Sequence, residues 1–190
     1  MKLFNIFKPK KKQILGSEPP FVTEMRENEK RFNQISKADF SKLEDSQLLD
    51  AMLYWVDNLR WNKKVKLEDL PEPVKNAYVC FSVYGEIMNG GLNQVFFNET
   101  KYYVHLCVDG YEKIGAPEIS TIIKEAMDIV TNQKGRYEAL DDGTLDSFIE
   151  SYEDDPLSDL DDVFYEKSDD IDLCQVITDY IRLNIDSFGN

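Results

Sequence analysis

The chain has 190 residues, of which 42% are hydrophobic and 12% aromatic, too much apolar side chain for a disordered polyelectrolyte even with 31% charged. Its 22 basic and 36 acidic residues leave a net charge of −14, a repulsion that disfavours direct binding of nucleic acid. Three widely spaced cysteines (Cys80, Cys107 and Cys174) with no CxxC pair, and the single histidine His105, support neither a disulfide framework nor a structural zinc site. A soluble globular protein in a reducing cytoplasm, without metal or cofactor, is the expectation.

At the N-terminus, MKLFNIFKPKKK carries five lysines beside Leu3, Phe4, Ile6 and Phe7. The apolar group precedes the main lysine cluster and is short, the reverse of a secretory signal. Gly16-Ser17-Glu18-Pro19-Pro20 reads as a linker. The expected organisation is a flexible basic tail and linker over 1–20, with no membrane contact, and one helical domain over 21–190. Charge is uneven: residues 1–45 sum to +3, 46–140 to −3 and 141–190 to −14, with Lys167 and Arg182 the only cations of the last segment.

In chain order, Leu48, Leu49, Met52, Leu53, Val56 and Leu59 recur at i, i+3, i+4, predicting a helix over 46–60 with Ser46 as N-cap. Pro71 and Pro73 open a second helix whose stripe is Val74, Ala77, Tyr78, Phe81, Tyr84, Ile87 and Met88. Asn89-Gly90-Gly91 is expected to stop it through a left-handed glycine. Leu92–Asn98 is a short apolar turn or helix, residues 102–114 continue to Gly115, and Pro117 starts a helix with Ile119, Ile122, Ile123, Ala126, Met127, Ile129 and Val130 inward. Lys134-Gly135 should close that helix. Beyond residue 140, apolar knots (Leu145 with Phe148, Leu157 with Leu160, then Val163, Phe164 and Tyr165) sit in acid and imply short helices. Ile171, Cys174, Ile177, Tyr180, Ile181 and Ile185 make a last helix of about four turns. The fold class is all-α, a single-domain multi-helix bundle.

Little in the sequence points to catalysis. His105 lies one helical turn from Asp109 but has no nucleophile partner, since Cys107, two residues on, would face another side of a helix. The acidic run 153–162 lacks the glycine a calcium loop needs at its sixth position. Two segments remain. One is the acidic set Glu153, Asp154, Asp155, Asp159, Asp161, Asp162, Asp169, Asp170 and Asp172, numerous enough to build a partner-binding face. The other is Asn89-Gly90-Gly91-Leu92-Asn93-Gln94-Val95-Phe96-Phe97-Asn98, whose amides either satisfy helix-end backbone groups or line a recognition pocket.

This N-G-G-x-x-Q-x-F-F-N string, preceded by Tyr84 and Glu86 and followed by Gly110-Tyr111-Glu112-Lys113-Ile114-Gly115-Ala116, resembles a bacterial domain-of-unknown-function family that includes a Neisseria DNA-mimic protein. Leu160-Asp161-x-x-Phe164-Tyr165 and Tyr180-Ile181 resemble the family's C-terminal end. The resemblance spans about residues 46–187, with Leu92 and Val95 in place of aromatics. It implies an all-α, dimeric fold in which Asn89, Gly90, Gly91, Gln94, Phe96, Phe97 and Asn98 are structural, and mimicry of DNA towards a transcription regulator. The leading expectation is a non-enzymatic acidic module that binds a basic protein such as a DNA-binding transcription regulator. The rivals are an immunity-type inhibitor of a basic toxin and a small-ligand-binding protein or enzyme using Asn89, Gln94 and Asn98 with His105.

Overall fold

The computed structural model describes residues 19–190, so the lysine-rich tail, and the linker up to Glu18, lie outside the described residues. Within them the chain forms α1 (Pro20–Phe32), α2 (Lys37–Phe40), α3 (Asp45–Asp57), α4 (Glu72–Phe97), α5 (His105–Ile114), α6 (Pro117–Asn132), α7 (Lys134–Leu140), α8 (Leu145–Glu150), α9 (Ser158–Asp170) and α10 (Leu173–Leu183). No strand occurs among the described residues, and the all-α expectation holds.

Helix α4 is the spine. Pro73 sits in its first turn, where a missing N–H costs nothing, and Val74, Ala77, Tyr78 and Ile87 are buried along it. Met88 departs from the expected stripe: one residue past Ile87 it is rotated about 100° from the core and is 48% exposed, while Val79, Cys80 and Val83 are buried instead. Helix α5 packs against α4 and α6 against α5, the two joined by Gly115, which ends α5 in the left-handed conformation (φ 96°, ψ 23°). On α6, Ile119, Ile122, Ile123 and Ala126 are buried. Helix α9 lies against α4 and α6, and α10 against α4 and α3. At the far end, Phe188 is buried and stacks on Phe40 at 5.4 Å, while the Asn190 backbone pairs with Ile35 and Lys37.

Several boundaries differ from expectation. Helix α3 begins at Asp45 after an extended Glu44, so Ser46 lies inside its first turn and is not the cap. The run expected to continue through Arg60 instead widens into a π-helical turn at Asn58–Asn62. Lys134-Gly135 opens α7 where it was expected to close α6, which ends at Asn132. Leu145 is 70% exposed and anchors no core. The last helix is shorter than four turns, because Asp172 takes a left-handed conformation and caps it with its side chain on the Gln175 N–H.

Candidate interaction surface

The glycine pair breaks α4 by a different conformation from the one expected. Gly90 has φ −164° and ψ 28°, and Gly91 has φ 73° and ψ 178°. The latter is not a left-handed cap but an extended mirror-image conformation open essentially to glycine alone. Its missing Cβ matters too, since a carbon there would be driven into the Asp161 carboxylate. A break in mid-helix orphans carbonyls before it and N–H groups after it. Three side chains from the acidic C-terminal segment satisfy them. The Tyr165 hydroxyl donates to the Ile87 carbonyl at 3.0 Å, the Tyr152 hydroxyl to the Gly90 carbonyl at 2.8 Å, and Asp161 Oδ1 accepts the Leu92 N–H at 2.6 Å.

Of the two roles expected for the signature amides, capping of helix-end backbone groups and lining of a recognition pocket, the first is not what Asn89, Gln94 and Asn98 do, since their side chains bond to side chains. Gln94 and Asn98 both donate to Glu86 Oε2, at 2.5 and 2.6 Å, and Asn89 donates to Gln94 Oε1 at 3.2 Å. They therefore clamp the two halves of α4 across the break, with Glu86 as the acceptor they share. Asn93 is buried and donates to Ser151 Oγ at 2.7 Å, and Arg136 holds the Ser151 and Glu153 carbonyls at 3.0 and 2.6 Å. Phe96 and Phe97 pack on Tyr137 of α7, and Phe97 also on Phe148 of α8 at 6.1 Å between ring centres. Every signature side chain thus either fixes the break or seats the elements after residue 133.

What these contacts hold in place is α9. Leu160, Asp161, Phe164, Tyr165 and Ser168 form its inner face, with Phe164 and Ser168 buried. Asp159, Asp162, Glu166, Asp169 and Asp170 are exposed and, at 3.6 residues per turn, share an arc of about 100°. At about 1.5 Å rise per residue these carboxylates run over about 16 Å of helix axis in steps of about 4.5, 6, 4.5 and 1.5 Å, a mean of about 4 Å. Along the axis of duplex DNA, one strand places a phosphate about every 3.4 Å. Lys167 bonds Asp170 at 3.0 Å and offsets one charge of the row.

The nine acids named from sequence divide accordingly. Asp159, Asp162, Asp169 and Asp170 belong to the row, and Glu153 and Asp154 are exposed in the preceding loop. Asp155 and Asp161 are half-buried and face inward: Asp155 accepts the Leu157 N–H at 2.9 Å and Asp161 fixes the α4 break. Burial pushes both carboxyls above the usual range, against the opposing pull of those N–H bonds. Asp172 is exposed, with one oxygen committed to capping α10. Glu166 belongs in the row and was missed, although its helical register relative to Asp159 and Asp162 was there to be read.

His105 is exposed at the start of α5, on the rim of a groove that also includes Arg60, Trp61 and Tyr102, apart from the amide clamp. No group of three or more His, Cys, Asp or Glu is placed to hold a metal ion among the described residues, and no helix there is long and apolar enough to cross a membrane.

No curated protein and no solved structure matches the chain. A family model described as DMP19-like protein matches residues 68–184, from the turn before α4 to the end of α10, a narrower span than the one expected from the motifs. That stretch contains the broken helix, its amide clamp and the acidic helix seated on it, and is well over half of the chain: the protein belongs to the DMP19-like family.

Proposed function

We propose that this protein is a non-enzymatic, cytoplasmic acidic module that occupies the nucleic-acid-binding surface of a basic DNA-binding protein, such as a transcription regulator, in the manner of a DNA mimic. The observation that carries this reading is the α9 row: five exposed carboxylates on one face over about 16 Å, at a mean axial step of about 4 Å against about 3.4 Å for phosphates on one DNA strand, on a helix whose position is fixed from behind by Asp161, Phe164 and Tyr165. A fixed row matters because carboxylates that must first be ordered lose part of their interaction energy to the entropy of ordering. Membership of the DMP19-like family supports the same reading.

The test is capture of partners from lysate at low and high salt, followed by competition with the operator DNA of any basic protein recovered. The quadruple variant Asp159→Asn, Asp162→Asn, Glu166→Gln and Asp169→Asn should weaken capture by about tenfold or more and flatten its salt dependence, without loss of helicity. Unchanged affinity in that variant, or partner and DNA bound together without competition, refutes the proposal.

A further inference from the structure

Between α3 and α4 the chain carries a short basic stretch, bounded by Asp57, Glu68 and Asp69. Residues 58–67 contain Arg60, Lys63, Lys64 and Lys66 and no acid, in a chain of net charge −14. The π-helical turn Asn58–Asn62 and the left-handed Lys64 (φ 60°) shape this stretch, and both are costly backbone states that persist where the surrounding structure holds them. Beside it lies a groove of about 370 Å³ lined by Arg60, Trp61, Lys64, Lys66, Tyr102 and His105, with Glu68 its only acid.

The groove is built as well as charged. Arg60 sits among three rings, its guanidinium carbon 4.6 Å from the Trp61 ring centre, 5.2 Å from Tyr78 and 5.1 Å from Tyr103. Its position is locked by a bond to the Tyr78 hydroxyl at 2.5 Å, which in turn donates to the half-buried Asp57 at 2.7 Å. Trp61 and Tyr102 nevertheless present 44% and 72% of their surface to solvent. Lys64 and Lys66 are exposed and make no ion pair among the described residues.

We propose that this groove binds a free nucleotide, with the base stacked on the more exposed ring, Tyr102, on the face opposite Lys101 and close enough to Trp61 to quench it, and the phosphates held by Lys64 and Lys66. The chemistry selects a planar aromatic anion, because neither a plain anion nor an apolar ring would use both halves of the lining. The size suits one nucleotide. A nucleic-acid strand offers the same chemistry, but it would carry its whole phosphate chain past a strongly anionic body, which selects the free nucleotide.

The test is calorimetric titration of the full chain with ADP, inorganic pyrophosphate, adenosine and an oligothymidylate at low salt. Trp61 fluorescence serves as a local readout, since Trp55 is only 3% exposed. ADP should bind and quench Trp61, and Lys64→Ala with Lys66→Ala should weaken it by about tenfold or more. Tyr102→Ala should weaken ADP by about five- to a hundredfold and leave pyrophosphate unaffected. All these side chains are at the surface, so helicity should be unchanged in the variants. Absence of ADP binding at millimolar concentration, or equal ADP affinity in the double lysine variant, overturns the proposal. Oligothymidylate binding more tightly than ADP overturns the assignment to a free nucleotide and makes the groove a strand site.

Discussion

Two glycines on α4 should respond to alanine with opposite signs. Gly91 holds φ 73° and ψ 178°, and a Cβ there would strike the Asp161 carboxylate. Forcing a side chain into that conformation costs about 1–3 kcal/mol. Displacing Asp161 leaves the Leu92 N–H without its acceptor, costing about 1–3 kcal/mol more. Gly91→Ala should therefore lose about 2–6 kcal/mol, which for a chain of this size lowers Tm by about 4–24 °C. Gly85 lies six residues earlier on the same helix, exposed, and a Cβ added there would meet nothing within 4 Å. Gly85→Ala should stabilise by about 0.5–1 kcal/mol, the ordinary helix-propensity gain. Urea unfolding followed by far-ultraviolet circular dichroism, with m unchanged, reads both. A loss at Gly91 below about 1 kcal/mol would show that the break re-forms without its glycine, and would remove the reason for treating it as the seat of α9.

Other expectations follow from the same contacts. Asp161→Ala should cost about 1–2 kcal/mol by thermal unfolding while Asp161→Asn, which keeps an acceptor for Leu92, should cost much less; equal losses would mean the charge and not the hydrogen bond matters. Burial raises the carboxyl pKa of Asp50, Asp57, Asp155 and Asp161 above the usual 3.8. A raised folded value means the folded state holds the proton more tightly, so stability is lost as pH rises through that value. Tm should thus increase as pH falls from neutral towards the mildly acidic range, and a flat or falling profile there would refute these assignments. Tyr137, whose ring is buried and whose hydroxyl has no hydrogen-bond partner among the described residues, has its pKa pushed up to about 12 by burial. Tyr137→Phe should be neutral or stabilising by about 0.5–1 kcal/mol in the same unfolding assay, and a clear loss would reveal a partner for the hydroxyl.

The sequence showed most of the helices because their apolar spacing is strong, as on α6 and α10, and because proline and glycine mark their ends, as at Pro117 and Gly115. It left α1 and α2 unassigned, since α1 is largely exposed and has few apolar residues, and α2 is a single turn. The π-helical turn at Asn58–Asn62 carries no such mark, and its first residue, Asn58, donates to the Asn33 carbonyl at 2.7 Å, a pairing across 25 residues that local spacing does not show. Long-range pairing also hid the meaning of the signature. The Asn/Gly/Gln string and the Leu160-Asp161-x-x-Phe164-Tyr165 pattern read as two motifs, and only the fold joins Asp161 to Leu92 and Tyr165 to Ile87. Acidity alone did not distinguish Asp161, which faces the core, from Asp162, which faces solvent, but helical register would have done so.

The signature and the charged row are coupled in one direction only. The break in α4, the amide clamp on Glu86 and the inward residues of α9 must fit one another sterically, so each constrains the identity of the others. The outward residues Asp159, Asp162, Glu166 and Asp169 are exposed and reach the inner face only through the charge of Asp162 on Asp161 and Tyr165, so α9 would keep its seat with neutral helix-forming residues in their place. Recognising this fold by its motif therefore identifies a rigid platform and leaves its electrostatic content to be read from the exposed arc. In this chain the arc is filled with carboxylates at a mean axial step close to that of a phosphate strand, the observation from which a test of partner binding should start.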